Sequence, residues 1–264
     1  MNRIRFHSEI VDTGVIIFMK SDTDFSLALT YHENSKQPSK SQVFNPNPIY
    51  KIYPNSKSLA LDLTEMDLCD ESTLFDVIYK RESVRRFSNE FISFKTLSSL
   101  LYASFGIKMK STNQNAKRMY PSAGARYPVE IYVVVLRSVE IEGGVYHYNV
   151  HDNILEKIKG LDAAEQVMQF YNNQNFETDV PMFILFSAIF SRSMEKYSER
   201  GYRYALLDAG HMGQNLSLVA THLELGTVGL GQGAVSDEKF EMALALSSQQ
   251  EHIIYGLAVG YPEI

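Results

Sequence analysis

The chain has 264 residues, 45% of them hydrophobic, with a formal net charge of −6 and a pI near 5.7. That composition supports a substantial core in one large domain, or in a domain with an extension, and excludes a disordered chain. The acidic balance with scattered Lys and Arg excludes nucleic acid as the main partner, and the single Cys69 excludes an internal disulfide framework and a cysteine-based structural zinc. The N-terminus lacks the apolar core of a signal peptide and no run approaches the ~18 apolar residues of a membrane span, so a soluble cytoplasmic protein is expected.

Residues 1–71 read as an N-terminal extension that wraps the core or a partner. Val15 to Met19 could form a short strand or a helical turn. Tyr31 to Lys57 is loop-like, rich in Ser, Asn and Lys, with Pro38, Pro46, Pro48 and Pro54. Its aromatic residues Tyr31, Phe44, Tyr50 and Tyr53 suggest that it lies on a surface. Ser72 is placed to cap a helix through Leu74, Val77 and Ile78, which leads into a segment with Arg81, Ser83, Arg85 and Arg86. A second helix is expected from Ser93 to Phe105, with Leu97, Leu100, Leu101 and Ala103 inward and Gly106 at its end. After a polar segment from Lys108 to Arg118 comes a strand from Val129 to Leu136, whose β-branched content argues for a central position. Gly143 and Gly144 turn it into Val145 to Asn149 as an antiparallel hairpin, and Ile154 to Ile158 adds a third strand.

Asp162 to Phe170 reads as a short helix and Met182 to Phe190 as a strand buried on both faces. From about Tyr202 to Leu225, apolar residues at steps of three and four predict a helix of roughly 35 Å at ~1.5 Å per residue, ended by Gly226. Gly210, Gly213 and Ser217 along it point to a close neighbour, another helix or a second copy of the chain. Ser236 starts a helix with Phe240, Ala243 and Leu246, and His252 to Val259 is a last core strand. Strands paired antiparallel and mixed with helices, without regular alternation, give an α+β fold around a mixed or antiparallel sheet.

Several segments carry candidate chemistry. Arg81, Ser83 and Arg85 suit an anion, because guanidinium groups fork onto phosphate oxygens; a solvated basic face would look the same. The small-residue turn Pro121, Ser122, Ala123 and Gly124 could be a plain turn, or a place where backbone amides approach a flat ring or an oxyanion. Gly229, Leu230 and Gly231 lack the spacing of a dinucleotide fingerprint and read as a strand-to-helix turn. Lys196 and Tyr197, adjacent proton-transfer groups, are expected just before the long helix. His147, His151, His211 and His222 show no metal-ligand spacing, and no metal is assigned.

In combination, Arg81-Glu-Ser-Val-Arg-Arg-Phe87, Arg118-Met-Tyr-Pro-Ser-Ala-Gly-Ala-Arg-Tyr-Pro128 and Gly260-Tyr-Pro262 resemble the FMN-dependent nitroreductase superfamily. Gly144-Val-Tyr-His-Tyr148, Lys196-Tyr-Ser-Glu-Arg-Gly-Tyr-Arg203 and Ala209-Gly-His-Met-Gly-Gln-Asn215 resemble, more narrowly, its SagB-type dehydrogenases, which include azoline oxidases of thiazole/oxazole-modified peptide synthesis. The resemblance implies a homodimer with two FMN sites at the subunit interface and the long helix in the contact. By motif match, Arg81 and Ser83 would hold phosphate and ribityl oxygens, and Arg85 would face the N1/O2 side of the flavin. Ser122 and its neighbours would border the isoalloxazine, and the turn at Gly229 to Gly231 would approach N5. The chain stops at Ile264, short of a basic phosphate contact that follows Gly-x-Pro in many relatives.

The implied reaction removes a hydride from one carbon of a thiazoline or oxazoline and a proton from its neighbour, with Lys196 and Tyr197 as the catalytic pair. A lysine is ordinarily protonated at neutral pH, so a basic lysine requires burial or a neighbouring cation, here Arg200 or Arg203. Tyr127 and Tyr202 could stack near the ring. The expected partners are an azoline-containing peptide and a cyclodehydratase complex, with dioxygen reoxidising the flavin. Two other functions fit the same residues: an NAD(P)H-dependent reductase of nitro, quinone or dehydroamino-acid substrates, and a scaffold subunit of a peptide-modifying complex.

Overall fold

The computed structural model describes residues 6–10, 16–20, 26–36, 50–64, 73–109, 117–171, 176, 180–231, 236–246 and 250–263. The chain divides into two units, Met1–Pro38 and Ser39–Ile264. In the first, β1 (Phe6–Ile10) pairs antiparallel with β2 (Ile16–Lys20), and α1 (Ser26–Asn34) follows. Tyr31, expected in a loop, is therefore helical. Pro38, Phe44, Pro46, Pro48, Cys69 and Ser72 lie outside the described residues.

The second unit runs β3 (Lys57–Ala60), α2 (Leu74–Lys80), α3 (Phe94–Phe105), β4 (Ile107–Met109), β5 (Lys117–Arg118), a 3-10 turn (Ala123–Ala125), β6 (Val129–Val135), β7 (Gly144–Asn149) and β8 (Ile154–Lys159). It continues through α4 (Leu161–Phe170), β9 (Met182–Ala188), α5 (Ser191–Tyr197), α6 (Arg200–His222), β10 (Gly226–Gly229), α7 (Asp237–Ala243) and β11 (His252–Gly260). The seven-stranded sheet has the order β10-β11-β9-β6-β7-β8-β3, and every neighbouring pair is antiparallel. Residues 57–60, which composition placed in an extension, supply one edge of this sheet.

β6 and β9 are buried along their whole length because helices cover both faces of the sheet. Successive side chains alternate between the faces. Ile131, Val133 and Ile184 join the cluster of Leu97, Leu100 and Leu216 from α3 and α6, whereas Val134, Phe183 and Leu185 join Ala164, Val167 and Phe240 from α4 and α7. The core side chains expected in α3 are inward except Ala103, which is half-buried.

Local chemistry corrects several boundaries. The cap of α2 is Thr73, not Ser72: its hydroxyl accepts from the Asp76 amide at 3.2 Å while the Asp76 carboxylate accepts from the Thr73 amide at 2.9 Å. This is a capping box with aspartate in the reciprocating position. α6 begins at Arg200 and ends at His222, and the left-handed turn expected of Gly226 is made by Glu224, at φ 60°. Gly226 instead opens β10, where a Cβ would stand 2.6 Å from Val84 Cγ2. Lys196 and Tyr197 come just before the long helix, as expected, but are themselves helical: they form the last turn of α5, which Ser198, at φ 50°, separates from α6.

Candidate active site

Two of the segments singled out by sequence meet. The turn from Pro121 to Gly124 leads into β6 and is left-handed at Gly124, with φ 61° and ψ 22°. A side chain there would be strained, and it would also collide with Lys196 and Tyr197: a Cβ would sit 2.8 Å from Lys196 Nζ and closer still to the Tyr197 hydroxyl. The end of α5 therefore stands directly over the turn. Both side chains are half-buried, and Gly124 is open to solvent. The Tyr197 ring is held edge-on by Tyr204 of α6, with centroids 5.0 Å apart, and Lys196 Nζ lies 5.4 Å from the Tyr197 centroid.

The other two segments also meet each other. Residues 81–85 run extended, Ser83 bridges Thr227 of β10, and the Val84 amide donates to the Thr227 carbonyl at 2.9 Å. Glu82 and Val84 line a cavity of about 520 Å³ with Thr221, Glu224 and Gly226. Arg81, Ser83 and Arg85 occupy the alternate positions, which in an extended chain face the other side. β10 then delivers Gly229 and Gly231, both exposed. Leu230 between them turns inward, its side chain in the core and its amide donating to the Gly256 carbonyl at 2.8 Å. Tyr255, which sequence reasoning did not single out, closes this corner: a Cβ at Gly229 would lie 2.5 Å from its hydroxyl and one at Gly213 2.6 Å from its ring. Of the three small residues on the long helix, Gly213 lies against Tyr255 and Ser217 against Thr227, whereas Gly210 has open space.

These two half-sites sit at different stations on α6. The turn is tied to it through Ser122, which donates to Asp208 at 2.5 Å, and β10 is tied to it through Thr227, whose hydroxyl bonds Ser217 at 3.1 Å. Nine residues separate Asp208 from Ser217, about 14 Å of helix and roughly two and a half turns, so the attachments are on opposite sides of the helix.

Asp208 is 3% exposed, and burial pushes its carboxyl up to about 6, against the opposing hydrogen bonds from Ser122 and the Ala123 amide. Its folded value lies above its unfolded one, so the native state is disfavoured where an unfolded Asp208 ionises and the folded one must follow, and stability rises as pH falls from above 6 towards 4. The difference is worth about 3 kcal/mol at most. Asp208→Asn should flatten that dependence and stabilise the protein above pH 6, as read from urea unfolding at pH 5 and pH 8. An unchanged slope would show that Asp208 is not the group responsible.

A second buried polar assembly was missed by sequence reasoning. His147 is fully buried between Glu130 and Glu156, with Nε2 at 2.9 Å and Nδ1 at 2.8 Å from their carboxylates. Burial alone would raise the Glu130 carboxyl, but Arg192 and His147 outweigh it and hold the group at about 2. Lys51 reaches the Tyr132 hydroxyl at 2.6 Å and pairs with Glu251, which also accepts from Ser187 at 2.6 Å. The available signal was a charged residue at an inward-facing strand position, as Glu130 is in Val-Glu-Ile-Tyr. His151 pairs with Asp152, Asn215 donates to the Met119 carbonyl at 3.0 Å, and His222 is half-buried. Tyr127 is buried under Arg118, and Tyr202 stacks on Phe190. Among the described residues, no group of three or more His, Cys, Asp or Glu side chains is placed to hold a metal, and no helix is long and apolar enough to cross a membrane.

Comparison with known proteins matches the nitroreductase family over residues 78–261. The chain belongs to the nitroreductase family. Its fold is accordingly the nitroreductase-like α+β fold. A Methanocaldococcus jannaschii protein named as a nitroreductase, MJ1384, is 36% identical over 172 residues, 64% of this chain and 85% of that one. The trifolitoxin-processing protein TfxB of Rhizobium leguminosarum is 36% identical over 45% of this chain and 33% of its own length. The microcin B17-processing protein McbC of Escherichia coli is 30% identical over 51% of this chain and 50% of its own. This nitroreductase thus aligns with half or less of the two processing proteins. A chain of the E. coli microcin synthetase McbBCD complex with truncated pro-MccB17 superposes with a TM-score of 0.62 at 20% identity, over 92% of this chain and 95% of that one. A nitroreductase from Desulfovibrio desulfuricans in complex with FMN superposes with a TM-score of 0.50 at 20% identity, over 74% of this chain and 89% of that one.

Proposed function

We propose that this nitroreductase is an FMN-dependent, SagB-type dehydrogenase that oxidises thiazoline or oxazoline rings to thiazoles or oxazoles in a ribosomally made peptide. The observation that carries the reading is the placement of Lys196 and Tyr197 over the Gly124 turn, in a chain related to McbC and TfxB. The residues suit the cofactor. Gly124 lets the tips of Lys196 and Tyr197 come down onto a turn whose Ser122 and Ala123 are pinned by Asp208, and Arg81, Ser83 and Arg85 suit an anion such as the cofactor's phosphate.

The same geometry supports a homodimer. One tricyclic ring cannot touch both half-sites of one chain when they lie on opposite sides of α6, whereas two copies related by a two-fold axis can combine one chain's turn with the other's arginines. α2, which packs against α6, is apolar and uncovered: Phe75 is 81% and Tyr79 91% exposed, and Leu74 and Ile78 are exposed as well. Such a patch suits a second copy. Residues 1–71 would serve as the extension that wraps the core or a partner, and a cyclodehydratase complex would deliver the peptide.

When bound, FMN supplies the two-electron acceptor for the hydride, with dioxygen as the terminal oxidant. The protein's task is the other half of the oxidation. Lys196 Nζ takes the proton from the ring carbon adjacent to the one that loses the hydride, so the ring loses two hydrogens and two electrons and gains a double bond. Tyr197, ordered by Tyr204, relays that proton or hydrogen-bonds the ring heteroatom.

Purified protein should be yellow and should convert an azoline peptide with the loss of two mass units per ring. Rapid flavin reduction by NAD(P)H without azoline turnover would favour a reductase, the reading that MJ1384 supports by its name. Colourless protein that does not take up added FMN would favour a scaffold subunit and end the proposal.

A further inference from the structure

The buried assembly around His147 has no part in the reaction proposed above, yet it ends on the helix that carries the catalytic pair. Both imidazole nitrogens face carboxylates, Nδ1 towards Glu156 and Nε2 towards Glu130. Ionised carboxylates only accept, so both contacts are hydrogen bonds only if the ring is doubly protonated. The two carboxylates on the ring belong to a wider set of buried charges, in which Glu130 also meets Arg192 and feels Arg118, and Glu251 meets Lys51.

Among the described residues, the ring is faced from three elements. β6 presents Glu130 and Tyr132, β8 presents Glu156, and the segment before β3 presents Tyr53, whose amide donates to Glu156 at 3.0 Å. Burial disfavours the charged ring, but the hydrogen bonds to Glu130 and Glu156 outweigh it and raise its proton affinity above the ordinary histidine value.

With one oxygen held by His147, Glu130 aims the other at Arg192 Nη1, 2.5 Å away, in the first turn of α5. Arg192 also donates to the Tyr127 carbonyl at 3.2 Å. Arg126 donates to the Arg192 carbonyl at 2.7 Å and reaches the Glu195 carboxylate at 3.3 Å, so α5 is clamped at both ends. Lys196 is one helical turn beyond Arg192. We infer that His147 is a positioning residue for the Lys196–Tyr197 pair, joining Glu156 and Glu130 into one ionic chain that acts through Arg192 to fix α5 over the Gly124 turn. The inference rests on the proposed function only for the identity of the reaction that the pair serves.

The test uses the purified flavoprotein with two substitutions at opposite ends of the chain, His147→Gln and Arg192→Lys. In single-turnover oxidation of an azoline peptide, each should slow the chemical step by roughly 10- to 100-fold while FMN content and peptide Kd stay within about twofold. The double variant should be no worse than the poorer single one, because both cut one chain. Two further readouts do not depend on turnover. In the wild type, nitrogen NMR should find both His147 ring nitrogens protonated at about pH 8, and in each variant the carbon resonance next to Lys196 Nζ should move.

A neutral ring in the wild type overturns the inference. So does an unmoved Lys196 resonance with unchanged single-turnover rates in the variants that fold. If the wild type proves inactive on azolines, the proposed function fails, while the ring protonation and the Lys196 resonance still decide the role of His147.

Discussion

Lys196→Ala should lower azoline oxidation by roughly 10²- to 10⁴-fold, the usual contribution of a positioned acid or base, while leaving FMN bound. The side chain belongs to the last turn of a short helix, is half-buried, and projects over a turn that has no side chain of its own at Gly124. Nothing in the hydrophobic core depends on it, so little stability should be lost and the flavin absorbance bands should persist. Tyr197→Phe should cost less, because the ring still packs against Tyr204 and only the hydroxyl over Gly124 is removed. The decisive comparison is between two reductions of the same flavin. Reduction by azoline peptide needs a proton removed and should collapse, whereas reduction by dithionite needs no such base and should be unaffected. Full azoline activity in Lys196→Ala would remove Lys196 from the mechanism.

The parts of the fold that sequence exposed are those where periodicity reports burial. Val129–Val135 and Met182–Ala188 are apolar apart from Glu130 and Ser187 because helices cover both sheet faces, and the stripe of Ala205, Ala209, Met212 and Leu216 marks the inner face of α6. What stayed hidden was set by tertiary contacts. β10 reads as a breaker because it begins and ends on glycine, yet those glycines are required by Val84 and Tyr255 pressing on the strand from either end. β3 sits in a stretch whose prolines and polar residues look like loop, and α5 is too polar and too short for a hydrophobic period to show.

The site divides along the same line. Motif order singled out the turn, the arginines and the Lys-Tyr pair as candidates, because each needs a residue type at a fixed local spacing. Asp208, Tyr255 and the Glu130–His147–Glu156 chain act across 80 or more residues of sequence or across neighbouring strands, and no local pattern announces them. A polar residue on an otherwise apolar face is the available clue. It separates a partnered interior group from a surface one only after the strand register is known.

Gly124→Ala puts the arrangement over the turn to its sharpest test, since it should cost little stability and most of the activity. The left-handed conformation, φ 61° and ψ 22°, penalises an alanine by about 1–2 kcal/mol. The atoms that the new methyl would meet are the tips of two flexible side chains, the Tyr197 hydroxyl and Lys196 Nζ, which can swing aside without disturbing the backbone. Folding should therefore survive, with the displacement falling on Lys196 and Tyr197. A shift of about 1 Å in a reacting group can cost about a hundredfold, so the chemical step should fall by that order while Tm drops only by a few degrees. Ala123→Gly, which removes a methyl from the same turn and adds nothing over it, is the control for loosening alone. If Gly124→Ala oxidises azolines at the wild-type rate, the Lys-Tyr pair does not work from its place above this turn, because the added methyl occupies the volume those two groups now share.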